Sequence, residues 1–334
     1  MFATLASCLF SDNSIVAIPP SSTSYWFSQP VDHFGLNSNT WSQQYVVNAT
    51  FYKPGGPIFM VTPGEAPLSS HYTDRTHFTD LAQKTNGLLV AVEHRFYGKS
   101  NPMPDFSGAS LKYHTVENVL EDFAAIIRAA RRNPSTVFPI PVSANSKAVF
   151  GGGSYGGALA AWMRAMYPKL VTGAWSSSAV LQYRLQNYHL DQSWGKHLRA
   201  LGCAKAVAKA VKDLDAILLS GNTTAVRNIQ VEFGAPALTP RDFAGLVTSL
   251  ISAAAMAPNY VDLDYTRTTV CSFFNGTQPN LKSYATAVAS MIQSQGYSQD
   301  DLTQVANTNL NFDNYALGQV GRVWYYQGCA WYGN

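Results

Sequence analysis

Charge is scarce in this chain. Only 13% of its 334 residues are Asp, Glu, Lys or Arg, and the formal net charge is +3. The longest cationic run is the pair Arg131-Arg132. No basic stripe is therefore available to track a polyanion, and nucleic-acid binding is set aside. Long hydrophobic runs are also missing. None approaches the ~20 apolar residues that a membrane-spanning helix needs, so no membrane span is expected. His33, His71, His77 and His114 stand apart from cysteine and carboxylate partners, and even the nearest pair, His71 and His77, has no zinc-site context. No Gly-Lys-Ser/Thr follows the glycines at 151–157, which removes a phosphate loop. No cofactor is expected. Asp213 with Asp215, and Asp262 with Asp264, read as solvated surface rather than as acid–base pairs.

Cysteine is scarce too, with four residues at Cys8, Cys203, Cys271 and Cys329. If Cys8 belongs to a removed leader, three remain and one has no partner in the chain. The expected bridge joins Cys203 to Cys271 and staples a helical region, leaving Cys329 to pair elsewhere. The segment Met1 to Phe10 is apolar but short and has no basic start. It reads as a clipped signal peptide, with a disordered tail as the alternative. Three glycosylation sequons, at Asn48, Asn222 and Asn275, together with a Ser/Thr/Asn-rich composition, lean towards an exported protein.

What the chain does have is aromatic residues, 13% of the total, and an apolar fraction of 46%, enough for a large core. It also has one organising stretch, Ala148-Val149-Phe150-Gly151-Gly152-Gly153-Ser154-Tyr155-Gly156-Gly157-Ala158-Leu159. A short apolar run enters it and an alanine-rich, helix-like run leaves it. The pattern Gly152-x-Ser154-x-Gly156 is that of the nucleophile elbow of α/β hydrolases. A serine raised above a sheet sits on a tight turn, and side chains two residues before or after it would crowd the adjoining strand and helix. The Tyr155 N–H would then face a developing oxyanion at a helix N-terminus.

Around this stretch, the runs 44–51, 57–61, 88–92 and 171–176 read as strands. Leu88 to Val92 is continuously apolar, as suits a central parallel strand. Val116 to Arg131 is an amphipathic helix with Val119, Leu120, Phe123, Ile126, Ile127 and Ala130 on one face. Strands alternating with helices predict a doubly wound α/β sheet of the α/β-hydrolase class. Past residue 182 the pattern turns helical, clearest at 205–219, 239–256 and 282–295. Thr239-Pro240-Arg241-Asp242 is a helix start with Thr as N-cap and Pro at the first position. The expected organisation is 1–24 leader and linker, 25–182 hydrolase core, 183–310 helical cap insertion, and 311–334 an incomplete return to the core.

Several stretches coincide with one family. Gln29-Pro30-Val31-Asp32-His33-Phe34, Lys53-Pro54-Gly55-Gly56-Pro57-Ile58-Phe59, Glu93-His94-Arg95-Phe96-Tyr97-Gly98-Lys99-Ser100, Gly152-Gly153-Ser154-Tyr155-Gly156-Gly157 and Trp324-Tyr325-Tyr326-Gln327-Gly328-Cys329 occur in family order. The chain resembles the serine carboxypeptidase S28 family, the prolyl carboxypeptidase and dipeptidyl peptidase II group. The resemblance implies an α/β hydrolase with an inserted helical cap. It also implies an exopeptidase favouring proline next to the cut bond, and a lysosomal, vacuolar or secreted setting. Peptides would be the substrates, and association into a homodimer stays open. Carried across, Ser154 is the nucleophile and Tyr155 N–H an oxyanion donor. Gly64-Glu65 lies in a loop that supplies a second donor or binds a substrate terminus.

The chain departs from the family at the triad. In this fold the order is Ser…Asp…His, yet only His189 and His197 follow Ser154, and Asp191 is the only aspartate between Ser154 and His197. Six positions separate Asp191 from His197, although the fold places acid and base on loops after different strands, so that pair is rejected. In the family the acid and base lie downstream of the Trp-x-Tyr-Gln-x-Cys segment, and five residues follow Cys329 here. The expectation is a truncated or partial sequence lacking its last strands, with a naturally shortened, inactive binding protein as a rival. An esterase or lipase of the same fold is the other rival. His94 precedes the serine, and Glu93-His94-Arg95 is expected to serve in structural hydrogen bonding.

Overall fold

The computed structural model describes residues 23–35, 37–133, 137–182, 188–256, 269–274, 276, 278–294, 296, 298 and 318–332. Met1–Phe10 with Cys8, the sequon at Asn275, and Asp262 with Asp264 lie outside the described residues. Two compact units divide the chain. One holds Asp12–Arg184 with Phe312–Asn334, and the other contains Leu185–Asn311.

The first unit is built on β1 (Thr23–Pro30), β2 (Thr40–Asn48), β3 (Ile58–Val61), α1 (His71–Asp74), α2 (His77–Thr85), β4 (Leu88–Val92), α3 (Gly108–Leu111), α4 (Val116–Arg132), β5 (Ala148–Gly153), α5 (Ser154–Met166) and β6 (Gly173–Ser177). The strands form one sheet in the order β1-β2-β4-β3-β5-β6. The β1–β2 and β2–β4 pairs are antiparallel, and β4, β3, β5 and β6 run parallel. This mixed sheet with flanking helices is an α/β-hydrolase fold. The continuous apolar run of β4 follows from burial on both faces. Leu88, Val90 and Val92 pack with Val119, Leu120 and Phe123 of α4 and Leu159 of α5. Leu89 and Ala91 pack on the other face with Phe59, Val61 and Phe78.

The edge strand β1 was not legible as a strand. Thr23 and Ser24, expected in a linker, already belong to it. Among the described residues it pairs only with β2, and it leaves Trp26 50% exposed, so half of it carries no core signature. The strand expected over 44–51 stops at Asn48, because the chain turns there. Thr50 N donates to Asn48 Oδ1, and Tyr52 N donates to Ala49 O. That turn also holds the first sequon. Asn48 is buried, and its Nδ2 donates to Thr73 O at 3.1 Å. A glycan on that nitrogen would displace the hydrogen bond and part the packed backbone around it.

Helix α4 starts at its N-cap Thr115, whose hydroxyl accepts from Asn118 N, and it carries Arg131 and Arg132 in its last turn. Midway along it, buried Asp122 takes a bidentate pair from Arg95, with Nε and NH2 each at 2.7 Å, and His33 Nε2 at 2.6 Å. Arg95 NH1 donates to Val31 O and Tyr113 O. The cation is thus paired and hydrogen-bonded, the condition under which a charge tolerates full burial.

The second unit consists of α6 (Tyr188–Ala200), α7 (Ala204–Leu218), α8 (Thr223–Glu232), α9 (Pro240–Met256), a 3-10 turn at Cys271–Phe273, and α10 (Asn280–Ser294). Its core gathers Val207, Leu214, Phe233, Phe243, Tyr284 and Val288. Cys203 and Cys271 are disulfide-bonded with Cα atoms 5.4 Å apart. Thr239 Oγ1 accepts from Asp242 N, the N-cap geometry that the sequence suggested. Asp191 and His197 share α6. Asn222 caps α8 through its Oδ1. Back in the first unit, α11 (Gly318–Tyr332) closes the described chain, with Val323 packed among Phe96, Tyr97 and Leu111. Cys329 is an exposed free thiol.

Replacing Asp122 with Asn should leave the Arg95 cation buried without its anion. The expected cost is about 3–5 kcal/mol, read as a lowered urea midpoint at unchanged slope.

Candidate active site

Strand β5 runs into α5 without an intervening loop, and the junction is Gly153-Ser154. Ser154 has φ 54°, a left-handed conformation that is rare and strained for a side-chain-bearing residue. Its side chain is exposed, whereas Tyr155, Gly156 and Gly157 behind it are buried. The glycines follow from contact distances. A Cβ on Gly152 would lie 2.3 Å from Gly156 O, and one on Gly157 would lie 2.5 Å from Ser177 O of β6. Only bare backbone lets β5, α5 and β6 approach this closely. Tyr155 N–H lies in the first turn of α5, where amides point out along the positive end of the helix dipole.

The loop after β3 forms a second wall. Gly64 has φ +71°, and a Cβ there would stand 3.0 Å from Gly156 N and 3.4 Å from the Tyr155 ring. The structure therefore brings Gly64 and the elbow together. Gly64 N donates to Thr62 Oγ1 at 3.3 Å. Glu65 follows, with its carboxylate accepting from its own backbone N–H, and burial raises its pKa to about 7. The loop is tied down at Leu68 N, which donates to Glu93 Oε1 at 2.8 Å.

The histidines of this unit are occupied elsewhere or lie on the surface. His33 meets Asp122, and His114 Nε2 meets Gln327 Oε1 at 3.1 Å. His71 and His77 are exposed. His94 is fully buried and faces the Tyr155 hydroxyl at 2.9 Å. Burial pushes its pKa down to about 4. Sequence reasoning placed Glu93-His94-Arg95 at the strand end but missed that each anchors a different segment. Glu93 holds the loop after β3 and also accepts from Lys99 N and Ser100 Oγ. The Tyr155 side chain and the role of Gln327 were missed as well, since buried polar pairing leaves no periodic signal.

The family described as Serine carboxypeptidase S28 matches residues 29–334. This chain belongs to that family. A human relative, Lysosomal Pro-X carboxypeptidase, is 37% identical over 171 residues, which cover 50% of this chain and 33% of the relative. A fungal relative from Bipolaris victoriae, Serine protease vicPa, is 30% identical over 242 residues, covering 66% of this chain and 42% of its own. A third, described as an extracellular serine carboxypeptidase from Arthroderma benhamiae, is 30% identical over 233 residues, covering 67% of this chain and 32% of its own. The match spans between 32% and 42% of the length of these relatives. Among solved structures, an arylesterase aligns over 54% of this chain and 53% of its own, with 14% identity and a TM-score of 0.35.

Glu65 yields a pH prediction. Its folded pKa of about 7 lies above the ordinary 4.5, so the folded state holds the proton more tightly than the unfolded chain. Stability linked to this group is complete below pH 4.5 and is lost as pH rises through about 7. Glu65→Gln should therefore gain thermal stability relative to the parent as pH is raised across that window, with the two melting curves compared at each pH.

Proposed function

We propose that this protein is a serine-type exopeptidase cleaving peptides next to proline through an acyl-enzyme on Ser154. The observation that carries the reading is the left-handed Ser154 between β5 and α5, with glycines at both flanks where a Cβ would strike backbone. Ser154 Oγ attacks the scissile carbonyl, and the leaving amine departs with a proton. Tyr155 N–H stabilises the oxyanion, with the Gly64-Glu65 loop as the second side of the hole. The proton of Oγ passes to a histidine base, which the family resemblance places downstream of Cys329. The helical segment 183–310 acts as the cap that restricts access to chain ends.

Preference for proline is suggested by the human relative, a Pro-X carboxypeptidase. A lysosomal or extracellular setting is suggested by the names of the relatives and by the Cys203–Cys271 disulfide, a bond that persists in oxidising compartments. Asn222, on the surface and capping α8 through its Oδ1, is the sequon we assign to glycosylation.

A serine-reactive diphenyl phosphonate tests the nucleophile. In the full chain the Ser154 peptide should gain the phosphonyl mass, and Ser154→Ala should abolish both labelling and turnover. A proline-containing peptide should be hydrolysed in preference to a short-chain ester. The opposite preference would favour an esterase, and an inert folded protein would favour a non-catalytic binding role.

A further inference from the structure

We infer that His94 is a positioning residue for the candidate nucleophile, holding the Tyr155 hydroxyl and through it the amide that follows Ser154. The inference rests on the reading of Ser154 as nucleophile. It begins with the tautomer. His94 Nδ1 lies 2.7 Å from Arg95 O, and a carbonyl only accepts, so Nδ1 carries the proton. Nε2 is then an acceptor, and the Tyr155 O–H donates to it at 2.9 Å. Both side chains are fully buried, so water does not replace this bond if it is lost.

Several contacts make the bond directional for the site rather than a detail of packing. The Tyr155 ring is wedged between His94, at 5.5 Å between centroids, and Trp324 and Trp331 of α11, at 6.0 and 6.1 Å. The hydroxyl fixes the ring end-on, where aromatic contacts alone would let it slide. The same ring stands beside Gly64, so a shift of Tyr155 moves both walls of the proposed oxyanion hole. The adjoining Ser154 holds a strained φ of 54°, and such a turn persists only where its surroundings over-determine it. Burial keeps the imidazole neutral into the acidic range, so the acceptor survives in an acidic compartment.

Tyr155→Phe removes one oxygen and keeps the ring. His94→Leu removes the acceptor, and His94→Gln offers an amide oxygen in its place. In the full chain, phosphonate titration first gives the fraction of competent sites, and rates are then referred to that fraction. The expected result for Tyr155→Phe and His94→Leu is a fall of about tenfold or more in kcat and in the phosphonylation rate constant, with KM within about twofold. His94→Gln should recover part of the loss. The Tyr155→Phe/His94→Leu double variant, which removes both ends of the Tyr155–His94 bond at once, should fall no further than the single ones, and His94→Gln, which keeps polar groups for both the Tyr155 hydroxyl and Arg95 O, guards against failure to fold. Rates equal to the parent in the single variants, or losses confined to the titrated fraction, would overturn the inference while leaving Ser154 as nucleophile. A parent protein that takes no label at Ser154 would overturn the nucleophile reading and this inference with it.

Discussion

A Cβ at Gly152 would lie 2.3 Å from the Gly156 carbonyl, and one at Gly157 would lie 2.5 Å from that of Ser177. This backbone-to-backbone approach ties β5 to the first turn of α5 and α5 to β6. It forces the chain to reverse within one residue, and Ser154 takes the left-handed conformation that the reversal requires. Everything near the serine is placed by that constraint. Tyr155 turns inward, Ser154 outward, and the loop after β3 closes on the pair through Gly64. Packing alone would favour a longer, unstrained connection. The strain is retained because sheet and helix are both fixed by large apolar faces, with Phe150 against Phe123 at 5.0 Å and Leu159, Ala160 and Met163 in the same core.

Beneath this junction, three consecutive residues after β4 secure three different segments. Glu93 accepts from the loop after β3 at Leu68 N, His94 accepts from Tyr155 on α5, and Arg95 pairs with Asp122 on α4. Each group is almost completely buried. Buried polar groups cost stability unless fully partnered, so they specify position more than they add free energy. A strand end that carries one acceptor, one neutral acceptor and one cation in sequence imposes three separate distance constraints on its surroundings. Apolar side chains would have supplied comparable burial with looser geometry.

Much of the fold was legible because it is written in periodicity. The apolar run of β4 and the one-sided stripe of α4 announce their environments directly. The elbow was legible because close approach demands glycine at fixed offsets from the serine. Strand β1 was not, since an edge strand with Trp26 half exposed lacks a core pattern. Helices α6 and α8 fall within the stretch read as helical but were not singled out beside more apolar neighbours. The burial of Asn48 was not legible either, because a three-residue sequon carries no information on burial, and here the asparagine faces Thr73 O. The framework under the site was opaque for a related reason. His94, Tyr155, His114 and Gln327 lie far apart in sequence, and only the folded chain makes them neighbours.

The scarcity of charge that marks the sequence continues into the site. Burial keeps His94 uncharged in mild acid and pushes the His114 pKa down as well, and Glu65 holds its proton up to about pH 7. On the peptidase reading, negative charge develops on the carbonyl oxygen beside Tyr155 N–H. Stabilisation then falls to backbone amides and the α5 dipole, which are fixed in place and need no reorganisation. An ionised Glu65 in the adjoining loop would oppose that charge, and its own carboxylate would compete for the Glu65 N–H. Protonation in acid removes both effects. The burial that makes Glu65 a liability for folding near neutral pH therefore clears, on that reading, a competing anion from the site in acid.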